Sequence, residues 1–284
     1  MENCREEVVL SKPLLLPSFK EEQQRKCVGN AFSSSLNTRE RKLVCVTSGN
    51  SHLSSHIVRE LLAGGYLVRV TIQKEVDFGV MNELLRDEEM NQLESVVVAK
   101  MGDLDSLCDA FRGCHAVFHT SSFIDIHGVS GYSEWMAFLE TEAARNVIEA
   151  CCRAAYVKRC IFTSSLLASI WTDDDRTGII DESCWSDEEF CRDRKLWLAM
   201  GKTAAEKVAW SKSQEMKVKL VTVCPGFSWL HHSQMLILKP LYHILKVKTL
   251  ISSLLKMLVK NEVNRIHSYQ PQKALMLLCF LTKI

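Results

Sequence analysis

From residue 42 onward, short apolar runs rich in β-branched residues alternate with longer segments whose apolar positions recur at helical spacing. The runs are LVCVT from Leu43, YLVRVTI from Tyr66, SVVVA from Ser95, HAVFHT from His115, RCIFTSS from Arg159 and VKLVTVC from Val218. Runs of this kind suit strands buried on both faces, as in a parallel sheet. Between them, Leu53, Ile57, Val58, Leu61 and Leu62 fall on one helical stripe, as do Ala143, Ala144, Val147, Ile148 and Cys151. This alternation predicts an α/β fold: a doubly wound parallel sheet of six strands with helices on both faces. Ligands of such sheets bind beyond the carboxyl ends of the strands.

Three segments break the rhythm. Residues 1–41 carry charge from the start (Glu2, Arg5, Glu6, Glu7), and the LLL at 14–16 is too short for a signal sequence, so a flexible N-terminal extension is expected. A plastid transit peptide is the second reading, opposed by the acids. The segment from Thr172 to Lys195 is acidic (DDD at 173, DESCWSDEE at 181) and reads as a long loop over one edge of the sheet. After Gly226 the chain turns basic and amphipathic. Lys239, Lys246, Lys248, Lys256 and Lys260 interrupt it, so no uncharged run approaches the ~20 residues of a membrane span. Packing against the sheet, partial disorder and a membrane-surface helix remain as readings of this tail. The expected plan is an extension over 1–41, a nucleotide-binding domain over 42–227 and a basic helical tail over 228–284.

Composition changes this picture little. The 284 residues are 47% hydrophobic and 24% charged, enough to bury a sizeable core. A formal net charge of +1 gives no reason to invoke nucleic acid or an anionic membrane. Twelve cysteines lack any C-x-x-C pair, and Cys45, Cys108, Cys151, Cys152, Cys160 and Cys224 sit in apolar runs. They read as reduced core thiols of an intracellular, cytoplasmic protein rather than a disulfide or zinc framework. His231 and His232 have no third ligand at metal spacing, and no metal site is expected.

The candidate chemistry starts at KLVCVTSGNSHLSSHIVRELL, a strand, a tight turn and a helix. This is the place of a dinucleotide turn, where backbone N–H groups and a helix N-terminus meet a pyrophosphate. Three glycines usually serve there, for the turn, the approach of phosphate and close helix packing. Here Ser48, Ser51 and Ser54 stand instead, while Gly49 and Asn50 remain able to take a left-handed conformation. The Ser51 and Ser54 hydroxyls could themselves donate to phosphate, with His52 and Leu53 opening the helix. Two readings stand: a weakened cofactor site, or an inherited turn that no longer holds the cofactor. The second strand ends in Gln73 and Lys74 with no acid, which favours NADP(H) over NAD(H).

Further stretches carry a family resemblance: GDLDSLCDAFRGCHAVFHTSS from Gly102, RNVIEAC from Arg145, CIFTSSLLASIW from Cys160, DESCWSDEEFC from Asp181, GKTAAEKVAW from Gly201 and CPG from Cys224. Together they resemble the extended short-chain dehydrogenase/reductase family, and within it the plant cinnamoyl-CoA reductase and dihydroflavonol reductase group. The resemblance implies a Rossmann fold, NADP(H) and hydride transfer to the carbonyl of a phenylpropanoid-type small molecule. It adds Asp103, Leu104, Thr120, Ser121, Ser164, Pro225 and Gly226 to the cofactor-lining positions. It makes Ser165 the serine that hydrogen-bonds the substrate oxygen, and Lys202 the lysine that holds the nicotinamide ribose and lowers the pKa of a tyrosine.

That tyrosine would stand four residues before Lys202, one helical turn away. The chain has Leu198 there, which can neither give nor take a proton. Tyr66, Tyr132, Tyr156, Tyr242 and Tyr269 all lie on other elements. The chain also ends in residues unlike the substrate region of the family, which implies a truncated or rebuilt pocket. Plainer readings exist for each candidate: Ser164 and Ser165 as a polar cap on the sheet, Lys202 as a solvated helix lysine, His119 as a structural histidine. The expectation is a reductase scaffold of weak or no activity. The alternative is a non-catalytic NADP-binding or regulatory protein with a protein partner.

Overall fold

The computed structural model describes residues 41–120, 132–173, 180–225 and the strand 272–276. The N-terminal extension to residue 40 and, that strand apart, the tail expected over 228–284 lie outside the described residues.

Strands β1 (Leu43–Val46), β2 (Leu67–Ile72), β3 (Ser95–Val98), β4 (Ala116–His119), β5 (Arg159–Thr163) and β6 (Lys219–Pro225) answer to the six apolar runs. With β7 (Gln272–Met276) they form one sheet in the order β3-β2-β1-β4-β5-β6-β7, every neighbouring pair parallel. The strand order reverses between β1 and β4, which defines the switch-point crevice of a Rossmann-type sheet. Strand β7 falls within the stretch read as helical tail, with Val221 of β6 opposite Gln272 and Pro225 opposite Met276. A strand edge offers its unpaired N–H and C=O groups to any segment that reaches it, and local periodicity does not register that pull.

The helices are α1 (His52–Ala63), α2 (Asp77–Leu84), α3 (Asp87–Gln92), α4 (Leu104–Phe111), α5 (Glu134–Arg153), α6 (Glu188–Asp193) and α7 (Trp197–Met216). Alternation along β1 divides the core. Val44 and Val46 join Ile57, Val58 and Leu61 of α1 and Met81 of α2 on one face. Cys45 joins Leu107 and Phe111 of α4, Val147 and Ile148 of α5, and Ala205 and Ala209 of α7 on the other. Each face buries a continuous apolar layer, so the sheet is fixed from both sides. Helices α5 and α7 pack against each other closely. A Cβ on Gly201 of α7 would stand 2.9 Å from Ala137 Cα of α5, a distance only glycine permits.

Among the described residues, Cys45, Cys114, Cys151, Cys160, Cys191 and Cys224 are buried thiols. Burial pushes the Cys45 and Cys151 thiols up, so they stay protonated. Cys152 is a correction: it is exposed, because neighbours on a helix point about 100° apart and Cys151 takes the core side. Cys108 is only half-buried. No described helix is long and apolar enough to cross a membrane.

Candidate functional site

The floor of the switch-point crevice is a small buried polar network. Thr47, just past β1, takes the Thr120 amide on its Oγ1 at 3.0 Å, and the Thr120 hydroxyl donates back to the Thr47 carbonyl. The Thr47 hydroxyl also meets His119 Nδ1 at 3.2 Å, and His119 rests on Phe162 of β5 with ring centroids 4.8 Å apart. Burial, and then the positive charge of Lys202, lower the His119 pKa to about 3. The imidazole is therefore neutral and clamps the ends of β1 and β4 together. This fits the structural reading of His119.

The turn after β1 differs from expectation in one respect. The left-handed residue is Ser48, at φ 57°, rather than Gly49 or Asn50. A left-handed non-glycine costs roughly 1–2 kcal/mol, and buried Ser48 is held there by its surroundings. Gly49 is needed for proximity instead. A Cβ on it would lie 2.5 Å from Val70 Cγ1 and 2.7 Å from Met81 Sδ. Sequence position suggested turn flexibility at Gly49, whereas tertiary packing of β2 and α2 sets its demand.

Ser51 is the N-cap of α1. Its Oγ accepts the Ser54 amide at 3.1 Å, while the Ser51 amide donates to Ser54 Oγ at 3.3 Å. The two hydroxyls also bond each other at 2.9 Å. The serines thus form a capping box, which stabilises the start of the helix. The amides of His52 and Leu53 open the same helix and lie outside the box. They are the backbone donors that a phosphate at this N-terminus would meet. At the end of β2, Gln73 is half-buried and Lys74 exposed, with the Lys74 amide bonded to Asp77 Oδ2 at 3.0 Å. Asp103 caps α4 by accepting the amides of Asp105 and Ser106, and Leu104 begins that helix half-buried. Pro225 ends β6. Ser121 and Gly226 lie outside the described residues.

Ser164 and Ser165 follow β5 and part company. Ser164 is buried and donates to Glu206 of α7 at 2.5 Å. Ser165 is half-buried and caps the 3-10 turn Leu166–Ala168, accepting the Leu167 amide at 3.2 Å. That turn packs against α7. Ser186 of the DESCWSD stretch ties the long loop to the turn by donating to the Leu167 carbonyl at 2.7 Å, and Trp185 meets Trp210 of α7 edge to face.

Helix α7 brings Leu198, Lys202 and Glu206 onto one face at intervals of four. Leu198 is half-buried. Lys202 is a correction to the solvated-lysine reading: it is buried, and its Nζ is paired with Glu140 of α5. The second oxygen of Glu140 accepts the Tyr132 hydroxyl at 2.9 Å. Glu206 is fully buried and also accepts from Thr222 at 2.8 Å.

Thr47, Glu140 and Glu206 are functional-site neighbours that sequence reasoning did not single out, and Tyr132, set aside there as lying on another element, reaches Glu140 beside Lys202. A signal existed for the two acids. Glu140 precedes Ala143, Ala144 and Val147 at spacings of three, four and seven, and Glu206 precedes Ala209 by three, so both acids fall on core-facing stripes. An acid in such a stripe needs a partner inside the protein. Among the described residues, no group of three His, Cys, Asp or Glu side chains could hold a metal ion.

Comparison with known proteins agrees with this fold. The family described as 3-beta hydroxysteroid dehydrogenase/isomerase matches residues 45–224. Cinnamoyl-CoA reductase 2 of Arabidopsis thaliana is 37% identical over 211 residues, covering 73% of this chain and 61% of the relative. Dihydroflavonol 4-reductase of Medicago sativa is 32% identical over 174 residues, covering 60% of this chain and 79% of the relative. The chain thus spans about three fifths of the length of the cinnamoyl-CoA reductases. Among solved structures, vestitone reductase of alfalfa (Medicago sativa) superposes with a TM-score of 0.55 at 32% identity, over 65% of this chain and 56% of that one. Gre2 of Candida albicans, solved with NADPH, superposes with a TM-score of 0.62 at 18% identity, over 82% and 77%, which speaks to the fold alone.

Proposed function

The chain belongs to the 3-beta hydroxysteroid dehydrogenase/isomerase family, within the extended short-chain dehydrogenase/reductases that include cinnamoyl-CoA and dihydroflavonol reductases, and we propose that it is an NADP(H)-dependent oxidoreductase scaffold with weak or absent turnover. The observation that carries this reading is Leu198, one turn before Lys202 on the helix against which the Ser165 turn packs.

The donor set of the crevice suits a dinucleotide. The helix start at His52 and Leu53 offers backbone donors to a pyrophosphate. Gln73 and Lys74 at the end of β2 suit a ribose 2′-phosphate better than an acid would. Lys202 would hold the nicotinamide ribose, with Thr120, Ser164 and Pro225 around that half and Asp103 and Leu104 toward the adenine. NADPH, when bound, supplies a hydride to a carbonyl carbon. The protein's share is to orient the carbonyl and protonate its oxygen. Ser165 can hydrogen-bond that oxygen, but Leu198 has no proton to give, so water must. Loss of a positioned general acid lowers the rate by roughly 10²–10⁴-fold. The left-handed Ser48 and the serine capping box replace glycines, which supports weaker cofactor binding than a glycine turn gives. By its relatives, the substrate class is a phenylpropanoid or flavonoid carbonyl compound, and the free core thiols support a cytoplasmic setting.

A second reading is a non-catalytic NADP(H)-binding or regulatory protein, with a protein partner in place of a substrate. The pairing of Lys202 with Glu140 favours it, because it engages the one charged side chain of the expected catalytic set. Calorimetric titration with NADPH and NADH, followed by assays of NADPH oxidation with hydroxycinnamoyl-CoA esters and dihydroflavonols, separates the readings. Weak NADPH binding with slow turnover supports the first, and binding without turnover the second. Absence of binding overturns both, and turnover at the rate of a tyrosine-bearing relative overturns the assignment of weak activity.

A further inference from the structure

We propose that Glu140 is a positioning residue that holds Lys202 against α5 and thereby weakens the hold of the crevice on NADP(H). The proposal rests on the cofactor reading above and assigns a role to a residue outside the expected catalytic set.

The geometry is specific. Glu140 and Lys202 face each other from adjacent helices, with side chains 7% and 11% exposed, so solvent screens the pair little. One carboxylate oxygen takes Lys202 Nζ and the other takes the Tyr132 hydroxyl. Tyr132 is itself buried. Burial, then the Glu140 charge, raise its pKa, so it remains a neutral donor to the carboxylate. The tyrosine reaches this place because position 201 is glycine: a Cβ there would lie 3.1 Å from the Tyr132 oxygen. Glu140 is thus held from two sides, by Lys202 and by Tyr132.

The pair also lies at the crevice. The charge on Lys202 is felt by His119, the last residue of β4, whose ring contacts Thr47 beyond β1. Glu140 therefore places a carboxylate next to the ammonium that would serve the cofactor. A carboxylate accepts a hydrogen bond from an ammonium far more strongly than a ribose hydroxyl does. For the ribose to engage Lys202, it must compete with Glu140.

The test is a binding cycle on the full chain. Glu140→Gln keeps the size of the side chain and an acceptor for Tyr132 but removes the charge. It is expected to tighten NADPH binding, by calorimetry or by the thermal shift at fixed NADPH, by about tenfold, as expected when a charge-assisted contact is replaced by a neutral one. In a Lys202→Met background the same change should have no effect, a result that a merely structural role for Glu140 would not give. Glu140→Asp, which keeps the charge but shortens its reach, should fall between wild type and Glu140→Gln and replaces it should the glutamine variant fail to fold. Equal NADPH affinities in wild type and the position-140 variants overturn the proposal while leaving the cofactor reading intact. The same holds if the gain persists without Lys202. Failure of every variant and the wild type to bind NADPH at millimolar concentration overturns the cofactor reading, and the proposal with it.

Discussion

Ser164 at the end of β5 donates its hydroxyl to the buried carboxylate of Glu206 on α7, 2.5 Å away. The carboxylate also accepts from Thr222 of β6 at 2.8 Å, so it joins two strands and a helix behind the crevice. Glu206→Ala strands these hydroxyls in a space closed to water, and should lower stability by about 1–3 kcal/mol. Glu206→Gln should cost less, because a hydroxyl can rotate to accept from an amide. Urea denaturation of the three proteins measures the order. An alanine variant as stable as wild type would show that the network contributes nothing.

Leu198→Tyr returns a proton donor to α7 one turn before Lys202. A gain in NADPH-dependent reduction of about tenfold or more is expected, below the roughly 10²–10⁴-fold that a general acid supplies in a complete site. Combining it with Glu140→Gln should raise the rate further, since a carboxylate close by opposes ionisation of any tyrosine placed there. Identical rates in wild type and both variants would show that the missing donor is not what limits this site.

Gly49→Ala puts a methyl group 2.5 Å from Val70 Cγ1 and 2.7 Å from Met81 Sδ. Either β2 and α2 shift or the turn does, at a cost of about 1–3 kcal/mol typical of overpacking. Thermal denaturation should show a lower midpoint, and NADPH binding should weaken along with it because the same turn opens α1. A midpoint equal to that of wild type would mean that Met81 yields freely.

His119 gives the stability of the protein an acid limb. Its folded pKa is lowered, by burial first, to about 3, against an ordinary value near 6.5. The unfolded chain then binds a proton between those pH values that the folded protein refuses. Stability is fully present above about pH 6.5 and falls on acidification, at up to about 1.4 kcal/mol per pH unit, until the folded pKa is reached. His119→Gln removes this contribution. Urea midpoints at pH 7 and pH 5 should therefore lie closer together in the variant than in the wild type. Equal spacing would show that His119 titrates normally in the folded state.

The sequence by itself determined most of the sheet. Apolar runs wide enough to be buried on both faces announced the six strands. The resemblance to a reductase family, read together with four-residue spacing on a helix, marked Leu198 as standing where that family has its proton donor, because both signals are local in the chain. Tertiary structure decided the rest. That Gly49 must lack a Cβ follows from Val70 and Met81, which are more than twenty residues away in sequence and close over it, while the left-handed residue is Ser48. That the serines cap a helix follows from which hydroxyl meets which amide once the turn has closed. Strand β7 forms where the edge of β6 pairs with a segment that was read as helical tail. The pairing of Lys202 with Glu140, sixty-two positions apart, depends on two helices meeting at Ala137 and Gly201. Only that meeting turns a helix lysine into a buried cation with a fixed partner, since the cost of burying its charge exists only after the chain has excluded water around it.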